Sequence, residues 1–280
     1  MQTNSGVNAI QVRPSGGFVV TTSGGQIHVA ERVMLAIGGC RGAAAGRLVE
    51  ALGHTLETPV PSLFTFGVDC PWLHLLAGVA LPVARVTLPG LNLTETGPLM
   101  ITHWGLSGPA VLRLSAWGAR RLHAVNYRFP LEVNWLPMLD EAALLSELQI
   151  WREQQGARLI VNAPLPRLPA RLWEQLALAA GIGPQERWGG LTRPLRQQLV
   201  RQLTLCRLEV TEKSLNKDEF VTCGGVKLRD VNFKTMESRI QPGLFFGGEL
   251  LDIDGLTGGF NFQAAWSTGW VAGQAMAAVG

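Results

Sequence analysis

The chain has 280 residues, 47% of them hydrophobic, enough to bury at least one full core and to form one to three domains. Its formal charge of +3 is too slight to argue for nucleic-acid binding as the main role, since acids are interspersed among the arginines. The four cysteines, Cys40, Cys70, Cys206 and Cys223, show no CxxC and no regular spacing, which argues against a zinc site or disulfide scaffold and for a reducing, cytoplasmic setting.

No charged segment followed by an apolar one opens the chain, so no signal peptide is predicted. From Gly6 to Gly39 short strands alternate with turn clusters: VNAIQV, Pro14-Ser15-Gly16-Gly17, FVVTT, Ser23-Gly24-Gly25, then QIHVAERVMLAIGG. This predicts a β-meander ending in an apolar strand over Val33–Ile37, closed by Gly38-Gly39. CRGAAAGRLVEALGH predicts a helix that stops near Gly53. From about Thr58 to Val133 frequent Pro and Gly between short apolar runs predict a β-rich region. Within it, Ser107 or Gly108 would cap a short helix with Pro109 in its first turn. About Leu139 to Leu203 reads as helical, with Asp140 as a cap. Its eight arginines against six acids, from Asp140 to Arg201, read as a solvated face. CRLEVTEKSLNKDEFVTCGGV returns to strand character.

The stretch from Val221 to Ala277 organises the rest. Gly224-Gly225 follows Thr222-Cys223, and the apolar run Leu244-Phe245-Phe246 stops on Gly247-Gly248-Glu249, followed by Asp252, Asp254 and Gly258-Gly259. The apolar segment from Asn261 holds Gln263, Ser267, Thr268 and Gln274, too polar for a membrane span, and reads as a buried helix with Trp266 and Trp270 in the core. A buried strand leading into glycines, carboxylates and a helix start is how α/β proteins present a cofactor edge. Glycines admit a flat ring closely, the helix N-terminus offers unpaired N–H groups, and carboxylates accept from polyol hydroxyls. That set suits a flavin better than a metal or a bare phosphate.

VTCGGV, TMESRIQPGLFFGGELLDIDG and TGGFNFQAAWSTGWVAGQA together closely resemble the C-terminal signature of the HI0933-like (BaiN-type) flavoproteins. ITHWGLSGPAVLRLSAW resembles a further element of that family, and Ala36-Ile37-Gly38-Gly39 stands where it usually has ATGG. The resemblance implies FAD as cofactor and a reduced nicotinamide, NADH or NADPH, as reductant. The implied acceptor is an unsaturated small molecule such as an enone, or a uracil ring in RNA. The cofactor-binding residues it implies are Gly38, Gly39, Gly224, Gly225, Val226, Gly248, Glu249, Asp252, Gly258, Gly259, Phe260 and Asn261. His103 is the candidate acid or substrate contact, against the reading of a structural histidine. No metal site is expected, because His28, His54, His74 and His123 share no ligand spacing.

Family members begin with a strand, a GxGxxG turn and a helix that hold the ADP half of FAD, and no such turn occurs here. The fold expected is mixed α/β: an incomplete, Rossmann-like FAD/NAD(P)-binding domain with a β-rich insert and a small helical insert. The expected boundaries are 1–57 with 221–280 for the flavin domain, 58–138 with 204–220 for the β-rich insert, and 139–203 for the helical insert. A partner chain or an N-terminal segment would complete the cofactor site. The alternative is a truncated, non-catalytic relative serving as an interaction module or a gene remnant. Bland readings stand beside the functional ones: a tight turn at Gly224-Gly225, loop acids at Glu249 and Asp252, a helix cap at Asn261, and a small apolar filler at Cys223.

Overall fold

The computed structural model describes residues 2–40, 42–213 and 221–278, and the strand expected across 214–220 lies outside them. The chain divides into two compact units, Met1–Ser62 with Glu219–Gly280 and Leu63–Asp218. The architecture is mixed α/β, as the sequence predicts.

In the first unit, β1 (Val7–Val12), β2 (Phe18–Thr22) and β3 (Ile27–Ala30) form the expected antiparallel meander. Strand β4 covers only Val33–Leu35, shorter than the Val33–Ile37 expected. It pairs in parallel with β15 (Leu244–Phe246), and the last matched pair is Phe246 with Leu35. The chain then turns at Gly247, whose N–H donates to Leu35 O at 3.1 Å, so Ala36 and Ile37 have no strand to pair with. All three β15 residues are buried, the pattern of a strand covered on both faces. Strands β13 (Val231–Asn232) and β14 (Glu237–Ser238) complete the order β13-β14-β15-β4, and β5 (Leu56–Ser62) pairs with β12 (Val221–Val226).

Helix α1 (Ala43–Ala51) stops where the sequence says. Gly53 takes φ +86°, while the N–H groups of Gly53 and His54 return to Glu50 O and Val49 O. Helix α7 (Phe260–Ala277) corrects an expectation. It is not buried: Trp266 is 68% exposed, Trp270 is 70% exposed, and Ala272 is its one fully buried residue among those described. The segment is apolar on nearly every side, so composition cannot say which side is covered. Tertiary packing covers only the side that meets β15 and β4.

The second unit is a closed antiparallel barrel, order β10-β11-β6-β9-β8-β7, with no free edge. Its strands are β6 (Phe66–Val68), β7 (Ala80–Leu88), β8 (Leu93–Ile101), β9 (Gly105–Ser107), β10 (Phe129–Asn134) and β11 (Cys206–Lys213). Helix α2 (Pro71–His74) is short, whereas α3 (Pro109–Ala124) runs 16 residues where a short helix was expected. Ala110, Val111, Leu114, Ser115, Gly118, Ala119 and Leu122 form its buried stripe, a helical period that outweighs the β-rich surroundings. Of the two cap candidates Gly108 takes the position, at φ +99°, and Ser107 ends β9. The segment 139–203 carries α4 (Glu141–Gln154), α5 (Ala170–Ala179) and most of α6 (Arg193–Thr204), within the same compact unit as the barrel. Asp140 Oδ1 accepts from Ala143 N at 2.7 Å, the cap read from the sequence.

Among the described residues no helix is long and apolar enough to cross a membrane, and no cluster of ligating side chains could hold a metal. All four cysteines are buried thiols.

The first unit's core holds a histidine. His54 lies edge-on to Phe246, ring centroids 4.9 Å apart, with Nε2 2.8 Å from Ser238 Oγ. Ser238 Oγ already accepts from the N–H groups of Ile240 and Gln241, so its proton goes to Nε2, leaving the imidazole proton on Nδ1 without a partner. Burial lowers the His54 pKa below the usual 6.5, against a weaker upward pull from Asp230. The unfolded chain therefore binds a proton before the folded one does. The stability this neutral ring contributes is present above 6.5 and is lost as the pH falls from there towards the folded value. Urea unfolding between about pH 7.5 and about pH 5.5 is expected to show falling stability, and His54→Gln a flatter profile.

Candidate functional site

Strand β15 delivers the chain to a 3-10 turn over Gly248–Leu250. Gly248, at φ +72°, donates its N–H to Thr268 Oγ1 at 2.9 Å, which fixes the turn against α7. Glu249 then reaches β12, where its Oε1 accepts from Thr222 N at 2.6 Å. A Cβ on Gly39 would sit 2.2 Å from Thr222 Oγ1 and 2.9 Å from Glu249 Oε1, so a glycine is needed where the three segments meet. The contact is a charge-assisted hydrogen bond, stronger than a neutral one. Among the described residues Glu249 Oε2 has no hydrogen-bond partner and remains an acceptor.

Cys40 adjoins this junction and donates its thiol to Leu250 O at 3.6 Å. Burial, reinforced by the Glu249 charge, pushes the Cys40 thiol up to about 11, so it stays protonated and inert near neutral pH. A cleft of 480 Å³ opens beside it between α1 and β5, lined also by Gly42, Gly46, Arg47, Glu50, Leu56, Pro59 and Pro61. That volume is in the range of small-molecule sites.

Gly224 and Gly225 lie inside strand β12, not in a cofactor-facing loop. A Cβ on Gly224 would meet Thr58 O at 2.5 Å, and one on Gly225 would meet Leu250 O at 2.4 Å. Both glycines serve the close approach of protein backbone on either side. Val226 is buried and its carbonyl accepts from Asp252 N at 3.1 Å, which joins β12 to the segment after the 3-10 turn.

At the mouth of α7, Gly259 is the N-cap residue at φ +88° and supplies no side-chain cap. Asn261, the expected cap, sits two residues beyond the N-cap position. Its amide instead brackets Gly255, accepting from Gly255 N at 2.7 Å and donating to Gly255 O at 3.0 Å. The first N–H groups of the helix are left for water or a ligand. Gly258, Gly259 and Phe260 are exposed, as is Gly38 at the end of the β4 segment. Ala265, beside Gly248, lies six residues into α7, about 9 Å from the helix mouth at the usual rise per residue.

Gly38, Gly39, Gly248, Glu249, Asp252, Gly258, Gly259, Phe260 and Asn261 thus belong to one unit. Gly39, Gly248 and Glu249 are in direct contact with the junction, and the α7 mouth is one to two turns away. His103 is in the other unit, exposed on the β8–β9 turn, which Thr102 closes by bonding Gly105. Sequence reasoning missed Thr222 and Thr268, the two residues that clamp the glycine–acid turn. Neither carries a local signal, since each meets its partner 20 or more residues away.

Two glycine variants separate packing from openness. Gly225→Ala, whose Cβ would strike the backbone of Leu250 and Leu251, is expected to cost about 2 kcal/mol or more. Gly259→Ala, with no atom within 4 Å of its Cβ, is expected to cost only the strain of its φ, about 1 kcal/mol. Paired denaturation curves test the order.

The family described as HI0933-like protein Rossmann domain matches residues 1–275. The chain is 31% identical over 268 residues to a ribosomal RNA dihydrouridine synthase of Escherichia coli, covering 92% of this chain and 63% of that protein. It is 31% identical over 277 residues to a 3-dehydro-bile acid delta(4,6)-reductase of Clostridium scindens, covering 93% and 65%. A ribosomal RNA dihydrouridine synthase of Haemophilus influenzae is 30% identical over 226 residues, covering 80% and 53%. The chain therefore spans less than two thirds of the length of each of these relatives. With its glycine–acid turn, its parallel β4–β15 pair and its open α7 mouth in place, the chain belongs to the HI0933-like family.

Proposed function

We propose that the first unit holds the isoalloxazine and ribityl end of FAD in a flavin-dependent oxidoreductase. The observation that carries this reading is the junction of Gly39, Thr222 and Glu249 beside the 480 Å³ cleft, within the same unit as an uncapped helix mouth. Family membership supports it. When bound, FAD supplies hydride transfer from a reduced nicotinamide to an unsaturated acceptor.

Each residue of the chain has a task in this reading. Glu249 keeps one oxygen on Thr222 N and offers the other to a ribityl hydroxyl. Gly38 leaves room for a flat ring, Gly39 lets the Thr222–Glu249 contact form beside it, and Gly258-Gly259 bring the positive end of α7 towards charge that develops on the ring. Thr268 and Asn261 hold the flanking turns and do not contact the ligand themselves. Gly224, Gly225 and Val226 act through packing, by setting where Glu249 lies.

The relatives' names support an acceptor whose carbon–carbon double bond is reduced. Dihydrouridine is uridine with its ring double bond saturated, and a delta(4,6)-reductase by name acts on double bonds. Such a reduction adds hydride to one carbon and a proton to the other. We assign the proton, or a substrate contact, to His103. The acceptor is an enone-like small molecule or a uracil ring in RNA. No GxGxxG turn occurs within these residues for the adenosine end, and that end is assigned to a partner chain or to an N-terminal segment. Buried thiols at all four cysteines support a reducing, cytoplasmic setting.

Titration of the purified chain with riboflavin and with FAD, followed by flavin fluorescence, tests the cradle. Quenching by both is expected, and Glu249→Gln should weaken it about tenfold, worth about 1.4 kcal/mol. Unquenched flavin at saturating protein sinks the reading. Once turnover is measurable, His103→Gln should lower kcat by about a hundredfold or more while leaving flavin affinity unchanged. An unchanged kcat removes His103 from the chemistry.

A further inference from the structure

From Arg152 to Arg201 the chain carries eight arginines, no lysine and three acids, a local excess that the overall charge of +3 hides. The fold gathers four of them within the second unit. Helices α4 and α6 flank an open cleft of 570 Å³, lined by Ser146, Gln149 and Ile150 on one side and by Arg193, Arg196 and Gln197 on the other. Arg196 reaches across it to Gln149 Oε1. Arg152 stands one turn beyond Gln149 on the same side of α4, and its Nε donates to Gly189 O at 3.4 Å. Gly189 N donates to Gly156 O at 3.0 Å, and Arg187 Nη1 bonds Ala157 O beside it. Arg152 and Arg187 thus meet where Gly156 and Gly189 touch, and Arg193 follows four residues after Gly189.

The floor under these arginines is rigid. Trp188, which opens the 3-10 turn Trp188–Gly190, is fully buried, stacked on Trp173 with ring centroids 5.8 Å apart and set against Trp151 at 5.9 Å. A turn pinned in this way fixes Arg187 on one side of it and the start of α6 on the other. The charges above it are not cancelled. Arg167 pairs with Glu147 at 2.7 Å, but among the described residues Arg152, Arg187, Arg193 and Arg196 make no ion pair. Arg152, Arg187 and Arg196 bond carbonyl or amide oxygens, which leaves N–H donors of each guanidinium unused. Two acids lie near: Glu153 accepts from Gln149 Nε2 at 2.7 Å, and Glu186 lies against Gly190, and neither pairs with an arginine. On a merely solvated face, the reading the sequence suggests, arginines pair with acids three or four residues away.

We propose that Arg152, Arg187, Arg193 and Arg196 form an anchoring surface for the phosphodiester backbone of RNA. Guanidinium forks match phosphates bidentately, so four of them around one cleft suit a run of phosphates better than a single anion. The cleft also offers the Gln197 amide to a ribose 2′-hydroxyl and the half-exposed Ile150 to the face of a base. An anionic lipid surface fits less well, because it is flat and this site is concave. The inference deepens the proposed function by choosing RNA between its two acceptor classes, and it rests on that reading only for RNA over DNA.

The test is fluorescence anisotropy of a labelled, uridine-containing single-stranded RNA titrated with the full chain, without flavin, between about 50 and about 200 mM salt. Four phosphate contacts at roughly 0.7 each predict a slope of log affinity against log salt of about −3. Arg193→Gln with Arg196→Gln should weaken binding at least tenfold and reduce the slope by about 1.4, with unchanged far-ultraviolet circular dichroism. Arg193→Lys with Arg196→Lys should restore most of the slope, because lysine keeps the charge. Arg13→Gln with Arg128→Gln, on the β1–β2 and α3–β10 connections, removes as much charge and should leave the slope unchanged. Absence of binding, a slope indifferent to the cleft variants, or equal weakening by the Arg13 and Arg128 pair overturns the proposal. So does displacement of the RNA by inorganic phosphate at matched ionic strength, or binding to anionic vesicles that the cleft variants abolish. Flavin is titrated separately: RNA bound by a chain that takes up no flavin leaves this surface standing and removes the flavin reading, and the reverse result removes only this surface.

Discussion

The carboxylate of Glu249 on the backbone N–H of Thr222 is the contact on which the first unit's arrangement turns. It ties the segment after β15 to the start of β12, and Gly39 lies against both. Three stretches far apart in sequence are thereby held within hydrogen-bonding distance. A charged acceptor suits this task, because a half-buried carboxylate with a short N–H contact gives a stronger bond than a neutral side chain would. The same contact sets the second Glu249 oxygen beside the junction and, with burial, keeps Cys40 protonated.

From that junction the rest of the unit follows in two directions. Towards the sheet, Gly225 admits Leu250 and Leu251 at backbone distance, and Val226 binds Asp252, so β12 and the 3-10 turn move as one. Towards the helix, Gly248 binds Thr268 at the middle of α7, and Arg32 secures its C-terminal end. A helix pinned at these two points keeps its tryptophans outward. Its apolar composition is distributed between a side packed on β15 and β4 and a flank that faces outward.

Glycine in the C-terminal signature consequently has two physical meanings. At Gly224 and Gly225 a side chain would strike protein backbone, and at Gly38 and Gly259 it would meet nothing. The first pair shapes the protein. The second pair leaves open surface of the kind a flat cofactor needs. Identical letters in a motif thus separate into scaffold and surface only after the neighbouring chain is known.

Local patterns determined a good deal by themselves. The meander, the stop of α1 at Gly53, the Asp140 cap and the apolar β15 run are all encoded within a few residues, where turn chemistry and periodicity act. Family membership was legible too, because long ordered motifs survive in the chain. Tertiary structure alone decided that β4 ends at Leu35, that α3 runs 16 residues, that Asn261 brackets Gly255, and that Trp266 and Trp270 face outward. The reason is common to these cases: each depends on a partner distant in sequence or on the absence of one, and neither periodicity nor composition carries that information.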